Sequence, residues 1–201
     1  MQDALPLPDD GPTLPVALRI TGLVVSPRHR YDGRPADGPK PVAGPETPDE
    51  VVVRASRGLV GDRYFGTRHR FASVTFLAVE SIDRLEGVLG TGPFDPFLAR
   101  RNVMTVGLDV ESLVHSEFTI DGGAGPVRFR SLTRANPCAW MDGAFAPGAH
   151  QAMRGHAGIR CEPLDDGVLR VGAARLLAVR HLSPDEAGEL RRSALEAARR
   201  G

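Results

Sequence analysis

The stretch FTIDGGAGPVRFRSL, residues 118–132, holds two short apolar runs that are separated by a glycine-bearing turn. Short apolar runs bounded by turn residues predict β-strands joined by tight connections. The pattern recurs further along the chain, in apolar runs at 158–161, 168–171 and 176–179. This spacing of strands and turns favours a β-barrel or a β-sandwich.

The region before this stretch also predicts strands. They are expected at residues 16–25, 51–54, 71–79 and 103–106. Residues 26–48 hold prolines, glycines and charges without periodicity, which predicts a long surface loop. A short helix is expected over 80–86, with Gly87 and Gly90 as the residues that end it.

A helix-start signal precedes the strand at 103–106. Asp95 followed by Pro96 is typical of an N-cap with proline at the first helical position. The turn that begins there is expected to deliver Arg100 and Arg101 to the head of the strand. A polar pair therefore opens a strand that is otherwise apolar.

The chain of 201 residues is long enough for one core and too short for two comfortable domains. We expect a flexible leader at 1–15 and one β-barrel domain at 16–182. Residues 183–201 are expected to form a C-terminal helix that packs on the domain or extends from it. Its start carries the capping box SPDE at 183–186, and the amphipathic pattern runs to about Arg199.

Composition and motifs exclude several classes of function. The formal net charge is zero, which argues against binding along a nucleic-acid backbone. Lys40 is the only lysine and lies in a Pro/Gly-rich stretch, so Schiff-base and P-loop chemistry lack their essential residue. No HExxH or paired-cysteine spacing predicts a zinc site, and neither GxSxG nor GxGxxG is present.

The sequence also bears on the compartment. Two cysteines are too few for a disulfide framework, which fits a reducing cytoplasm. The first fifteen residues lack the basic and apolar regions of a signal peptide, and no apolar run is long enough to cross a bilayer. We therefore expect a soluble, cytoplasmic protein with no membrane or nucleic-acid partner.

Cys138 is the strongest candidate for chemistry. The pair Pro137-Cys138 follows a strand that ends near Leu132, so the thiol is expected where a strand gives way to a loop. Arg134 is close in sequence, and a nearby guanidinium favours the thiolate, the form that attacks or binds metal. The alternative is a buried and inert cysteine, because free cysteine is among the most buried residue types. For Cys161, inside an apolar strand, the inert role is expected.

Three arginine-bearing segments are weak candidates for a site when each is taken alone. Arg100-Arg101-Asn102 offers two guanidinium forks and an amide at a strand entrance, which suits an anion, but it can equally be a solvated helix end. The GDR turn at 61–63 can equally be a tight turn with its own ion pair. The segment RGH at 154–156 can equally be only a loop.

Taken together and in order, six segments of the chain resemble the MOSC family, named after the C-terminal domain of molybdenum cofactor sulfurase. They are GLVGDR at 58–63, RRNV at 100–103, GLD at 107–109 with Leu113, PC at 137–138, RG at 154–155 with Gly158, and LRVG at 169–172. The resemblance spans about residues 16–179, and its most specific parts are the GxxGDR turn, the RRN segment and the PC pair. The chain is most similar to the short, stand-alone bacterial type.

The resemblance implies a mainly β fold with peripheral helices, in which antiparallel strands form a closed or nearly closed barrel of the pyruvate-kinase-barrel type. It also implies binding of the molybdenum cofactor (Mo-molybdopterin), with Cys138 as catalytic residue and molybdenum ligand. The implied cofactor-binding residues are Asp62, Arg63, His69, Arg101, Asn102, Arg134 and Arg154. The arginines suit the cofactor phosphate, and the amide suits polar edges of the pterin. The family is also described in general terms as binding pyridoxal phosphate.

Two positions depart from the family pattern. Ala173 stands where an aspartate follows the late RVG turn, and Tyr64 stands where a histidine often follows the GDR turn. His69 is the nearest substitute for that histidine.

The resemblance implies a molybdenum-dependent oxidoreductase that reduces N-hydroxylated small molecules such as hydroxylaminopurine. An external reductase would supply electrons, because no flavin or nicotinamide motif is visible. The alternative is a non-catalytic carrier that holds the cofactor, or a persulfide on Cys138, for delivery to another enzyme. A third interpretation is a barrel without cofactor in which Cys138 is buried. Both cofactor hypotheses require Arg101, Asn102 and Cys138 to line the same cleft.

Overall fold

The computed structural model describes residues 13–42 and 44–200. The leader expected at 1–15 therefore lies almost entirely outside the described residues. The strands are β1 Val16–Leu23, β2 Glu50–Arg54, β3 Gly58–Leu59, β4 Val74–Ala78, β5 Val103–Val106, β6 Ser116–Asp121, β7 Pro126–Arg134, β8 Ile159–Pro163, β9 Gly167–Arg170 and β10 Gly172–His181. The α-helices are α1 Glu80–Leu89, α2 Trp140–Ala144, α3 Ala149–Ala152 and α4 Pro184–Arg200.

Seven strands close into a barrel in the order β1-β10-β6-β7-β8-β4-β5, and β5 pairs back with β1. The predicted fold class, mainly β with a closed barrel and peripheral helices, is confirmed. The expectation of antiparallel strands is wrong for one pair, because β4 and β5 run parallel with Phe76 opposite Val103. A parallel pair needs a long crossover connection, and the chain between these strands contains α1.

Aromatic side chains fill the barrel interior. The rings of Phe76, Phe118 and Phe129 lie with centroids 5.1–5.7 Å apart. All three are at most 1% exposed, and burial of each is worth about 1.5–3 kcal/mol. Cys161 belongs to the same cluster and is fully buried.

The remaining strands form a separate three-stranded sheet in the order β3-β2-β9. The strand pattern alone did not distinguish this sheet from the barrel. Val53, Leu59 and Leu169 extend from it into the barrel core. The GDR turn follows β3 directly, so the sheet holds this turn against the barrel.

Gly158 precedes β8 at a point where two backbones meet. A Cβ atom there would lie 2.0 Å from the carbonyl oxygen of Phe76, and the φ angle of Gly158 is +86°. Both observations require glycine at this position. Its N–H donates to the Glu111 carboxylate at 3.0 Å.

Helices cover one part of the barrel. A second apolar cluster contains Trp140 and Met141 of α2, Met153 after α3, and Leu85 of α1. The α1 helix runs past the expected end at 86, because Gly87 lies inside it and Gly90, with φ +65°, ends it.

The two helix-start signals are confirmed. Asp95 accepts a hydrogen bond of 2.9 Å from the N–H of Phe97, at the start of a short 3-10 helix. At the start of α4, Ser183 and Glu186 exchange hydrogen bonds of 2.9 and 3.2 Å. Within the described ranges, no helix has the length and apolar character needed to span a membrane.

Candidate functional site

A cavity of about 320 Å³ lies beside the ends of β1, β4, β5, β7 and β8. Six of the eight site residues expected from the sequence line it: Asp62, Arg63, His69, Arg101, Asn102 and Cys138. These residues are separated by up to 76 positions in the chain, and the barrel brings them together. Arg134 and Arg154 do not line the cavity.

Cys138 is exposed and lies on the cavity wall. The hypothesis of a buried Cys138 is therefore wrong. The backbone carbonyl of Cys138 accepts a hydrogen bond of 2.9 Å from the N–H of Met141, which fixes the thiol just before α2. By contrast, Cys161 is fully buried in the barrel, and this burial raises the pKa of its thiol.

Arg63 comes from the GDR turn. Its backbone N–H donates to the carbonyl of Ser26 at 2.7 Å, and its guanidinium carbon lies 4.7 Å from the centre of the Tyr64 ring. Its Nε is buried without a hydrogen-bond partner among the described residues. Buried polar atoms are nearly always hydrogen-bonded, so this donor is available to an acceptor such as water or a ligand.

Arg101 is the central cation of the cavity. Its guanidinium donates to the carbonyls of Ala157 at 2.8 Å and Asn136 at 3.3 Å. Burial and the neighbouring charge of Arg160 lower the pKa of Arg101 to about 10, whereas a negative charge on Cys138 favours its charged form. Arg101 is thus a cation at neutral pH, and neither it nor Arg160 forms an ion pair within the described ranges.

Arg100 differs from its neighbour because it has a carboxylate partner. It donates to Glu46 at 2.6 Å, and the two side chains are only 12% and 8% exposed. Burial alone would raise the pKa of Glu46, but hydrogen bonds from Arg100 and Ser26 hold it below its usual value. A second guanidinium nitrogen of Arg100, Nη2, is buried without a partner among the described residues.

Asn102 uses its whole amide within the protein. Its Nδ2 donates to the carbonyl of Val24 at 2.9 Å and to Asp62 at 3.0 Å. Its Oδ1 accepts from the N–H of Thr75 at 3.0 Å and from the Thr75 hydroxyl at 2.8 Å. Two donors and two acceptor positions are the capacity of an amide, so Asn102 acts by tying the GDR turn to β4 and β5.

Asp62 is the buried partner of this amide. Burial raises the pKa of its carboxyl, although the N–H of Tyr64 donates to it at 2.9 Å. His69 lies at the cavity with its ring edge-on to Tyr64, at 6.3 Å between centroids. Asp62 therefore holds the turn, whereas Tyr64 and His69 present rings to the cavity.

Arg134 and Arg154 lie outside the cavity wall. Both are exposed, and Arg134 donates to the carbonyl of Gly155 at 3.0 Å. Arg134 is only four positions from Cys138, but it is in β7, whereas the thiol comes after that strand. The Arg134 side chain therefore contacts the carbonyl of Gly155 and does not line the cavity wall.

Several cavity residues had not been expected from the sequence, among them His29, Tyr31 and Arg160. His29 and Tyr31 come from the loop at 26–48, and no local pattern marked them. Tyr31 stacks on Trp140 at 5.2 Å and donates to the carbonyl of Leu98 at 2.7 Å. The third is Arg160, for which a charged residue inside an otherwise apolar strand was the available signal.

The cavity thus combines an exposed thiol with three guanidinium groups that lack a carboxylate partner. Such an arrangement suits an anion that also carries a soft metal or another thiol-reactive centre.

No protein-family model matches the sequence, and no curated protein matches it. Solved structures are similar in fold. The YuaD protein from Bacillus subtilis has a TM-score of 0.62 and 16% identity, over 84% of this chain and 98% of that chain. YiiM from Geobacillus stearothermophilus has a TM-score of 0.54 and 18% identity, over 89% and 85% of the two chains.

YiiM from Escherichia coli gives a TM-score of 0.51 at 18% identity, over 86% of this chain and 76% of that chain. Identities this low show the fold alone. Together with the closed seven-stranded barrel, these neighbours fit the MOSC-like fold that the sequence resemblance implies.

Proposed function

We propose that this protein binds the molybdenum cofactor in the cavity, with Cys138 as the molybdenum ligand, and reduces N-hydroxylated small molecules. The observation that carries the proposal is the position of an exposed Cys138 in one cavity with Arg63, Arg101 and Arg160. None of these three guanidinium groups forms an ion pair within the described ranges.

The buried donors fit an anionic cofactor. Arg63 Nε and Arg100 Nη2 are both buried without partners among the described residues, and both side chains line the cavity. A phosphate group supplies acceptor oxygens for such donors, and arginine binds phosphate with paired hydrogen bonds. Arg63, Arg100, Arg101 and Arg160 would hold the anionic end of the cofactor.

The thiol fits the metal. Molybdenum bound by a dithiolene is a soft centre, and a thiolate is the matching protein ligand. The described residues contain no cluster of three or more His, Cys, Asp or Glu side chains that could hold a metal ion. Beside Cys138, the other metal ligands would therefore come from the cofactor.

When bound, the cofactor would supply the redox change that cleaves an N–O bond. The overall conversion of R–NHOH to R–NH₂ and water takes up two electrons and two protons, and an external reductase would provide the electrons. This chain contributes orientation and charge. Asn102 and Asp62 fix the turn that carries Arg63, and Arg101 keeps a positive charge beside the thiol.

The test is to produce the protein in a host that synthesises the cofactor and to measure bound molybdenum and pterin. We expect both in wild-type protein and loss of molybdenum in Cys138→Ser, because a hydroxyl is a hard donor of high pKa. Ala139→Ser, which introduces the same side chain at the adjacent exposed residue, should keep the metal. Wild-type protein without pterin or molybdenum would contradict the proposal.

Turnover separates catalyst from carrier. With reduced methyl viologen as electron donor, we expect reduction of hydroxylaminopurine by loaded wild-type protein and none by Cys138→Ser. Loaded wild-type protein without turnover would support the carrier of cofactor or persulfide sulfur instead.

A further inference from the structure

Positive charge continues from the cavity onto the surface around it. Five exposed arginines are adjacent to residues that line the cavity or to the loop beside them; together they form the arginine rim: Arg28, Arg68, Arg70, Arg134 and Arg154. Within the described ranges, none of the five forms an ion pair. Among the described residues, these five arginines are therefore exposed positive charges without a carboxylate partner on chain segments next to the cavity.

The positions of the rim follow from chain connectivity and one hydrogen bond. Arg68 and Arg70 flank His69, which lines the cavity. Arg134 donates to the carbonyl of Gly155 at 3.0 Å, and this brings it next to Arg154. Arg28 directly precedes His29, another cavity residue.

The cavity cofactor does not require these arginines. None of the five lines the cavity, whereas four other arginines do. An anion inside the cavity would offset the charge of Arg63, Arg101 and Arg160 and leave the rim unbalanced. Of two carboxylates that contact cavity residues, Glu46 pairs with Arg100, whereas Asp62 is buried and accepts hydrogen bonds from Asn102 and the N–H of Tyr64.

We propose that the arginine rim selects anionic substrates, so that the protein acts on N-hydroxylated compounds that carry phosphate, such as nucleotides, in preference to neutral bases. Unpaired charges around a cleft raise the local concentration of oppositely charged ligands and their rate of association. The substrate chemistry rests on the proposed function, whereas the charge selection depends only on the arginines of this chain.

The selection is measured on Cys138 itself, without cofactor. The thiol is treated separately with the anionic sulfonatoethyl, the cationic trimethylammonioethyl and the neutral methyl ester of methanethiosulfonic acid, and each rate is divided by the rate of the same reagent with 2-mercaptoethanol. At low salt we expect the anion to react about tenfold faster than the cation, or more. The ratio of the anion rate to the cation rate should fall towards one as salt screens the charges.

Charge-reversal variants distinguish the effect of the arginine rim on the labelling rates from the effect of the cavity arginines. Arg68→Glu combined with Arg70→Glu should lower the anion rate at least about threefold and leave the neutral rate unchanged. The matched control is Arg19→Glu with Arg175→Glu. These residues lie on β1 and β10 away from the cavity end, and the charge change is the same. A wild-type ratio near one, or equal effects of the two double variants, would overturn the inference.

Loaded protein tests the substrate class. An N-hydroxylated purine base and its monophosphate nucleotide are compared by kcat/KM, and the nucleotide should be preferred. Arg68→Glu with Arg70→Glu should reduce kcat/KM for the nucleotide alone. Preference for the base, or an equal loss for both, would overturn the inference. Failure to bind molybdenum would refute the proposed function, and the labelling rates would still decide the role of the rim.

Discussion

On the outer wall of the barrel, arginines of β7 and β10 pair with carboxylates, whereas in the cavity three arginines lack such partners. On the wall, Arg130 donates to Glu117 at 2.7 Å, and Arg180 contacts the same carboxylate at 3.2 Å. In the cavity, Arg63, Arg101 and Arg160 form no ion pair within the described ranges.

The difference separates charge that joins neighbouring strands from charge that is available to a ligand. The side chains of Arg130 and Glu117 are 22% and 19% exposed, so this wall pair joins neighbouring strands and adds modestly to stability. A partly buried cation without a carboxylate partner shifts its own pKa downward, as Arg101 does. Perturbed groups of this kind cluster at functional sites, and the cavity is such a cluster.

The two cysteines give the largest expected contrast between cavity and barrel. Cys138 is exposed, whereas Cys161 is fully buried with a raised pKa. Cys161 can react only when the barrel opens, so we expect Cys138 to be labelled at least about a thousandfold faster at neutral pH. Peptide mapping after timed alkylation measures both rates, and equal rates in folded protein would contradict the assignment of the reactive thiol.

The buried pair of Glu46 and Arg100 is the next test. Glu46→Gln leaves the guanidinium buried without its counter-charge, so we expect the free energy of unfolding to fall by about 3 kcal/mol. The control is Glu50→Gln, which breaks the half-exposed pair with Arg170 and should change stability little. Urea denaturation of both variants measures the two free energies of unfolding. Equal losses would show that the buried pair stabilises the protein no more than the half-exposed pair does.

The same pair predicts a pH dependence. The pKa of Glu46 is lower in the folded protein than in the unfolded chain, so its contribution is complete above the ordinary carboxyl pKa. It is lost as the pH falls through the folded-state value. Glu46→Gln should therefore flatten the loss of stability in acid, and a series of melting curves from neutral to acidic pH would show this. An unchanged acid profile would mean that other carboxyls dominate.

Under the proposed function, Arg101→Ala should weaken cofactor binding, with a smaller effect than Cys138→Ser has on bound molybdenum. A charge-assisted hydrogen bond is worth roughly 1.5–3 kcal/mol, which corresponds to about ten- to a hundredfold in affinity. Excess cofactor should therefore restore part of the binding to Arg101→Ala. It should not restore bound molybdenum in Cys138→Ser, because that variant lacks the metal ligand. Arg128→Ala, a charge deletion on the wall, is the control and should leave the pterin content unchanged.

The smallest effect is expected on the wall itself. Arg130→Ala removes contacts with Glu117 and with Glu162, and we expect a loss of about 1 kcal/mol that diminishes at high salt. Arg19→Ala, which removes an exposed arginine that forms no ion pair within the described ranges, should have no effect. A loss from Arg130→Ala as large as that from Glu46→Gln would remove the distinction between the two regions.

Most of the barrel could be predicted from local pattern, because half-buried strands and capping residues leave signals in adjacent positions. The strand at 103–106 and the cap at Asp95 are examples. The parallel pairing of β4 with β5 could not be predicted this way, since the choice of partner depends on the whole sheet. The separate sheet of β2, β3 and β9 was missed for the same reason.

The candidate site was predictable only in part. Segment order indicated Arg63, Arg101 and Cys138, which now lie on one cavity. The loop residues His29 and Tyr31 left no signal, because their positions depend on contacts such as the stacking on Trp140.

The pairing of β1 with β10 places Val16 opposite Leu176, so the first strand of the barrel lacks one of its neighbours until the last strand has been synthesised. On the ribosome, a nascent chain that ends before residue 172 cannot close, because β10 lies between β1 and β6. Both strands would then present an unpaired edge, and such edges recruit other chains. A premature stop codon ahead of β10 would therefore yield an aggregating fragment instead of a smaller barrel.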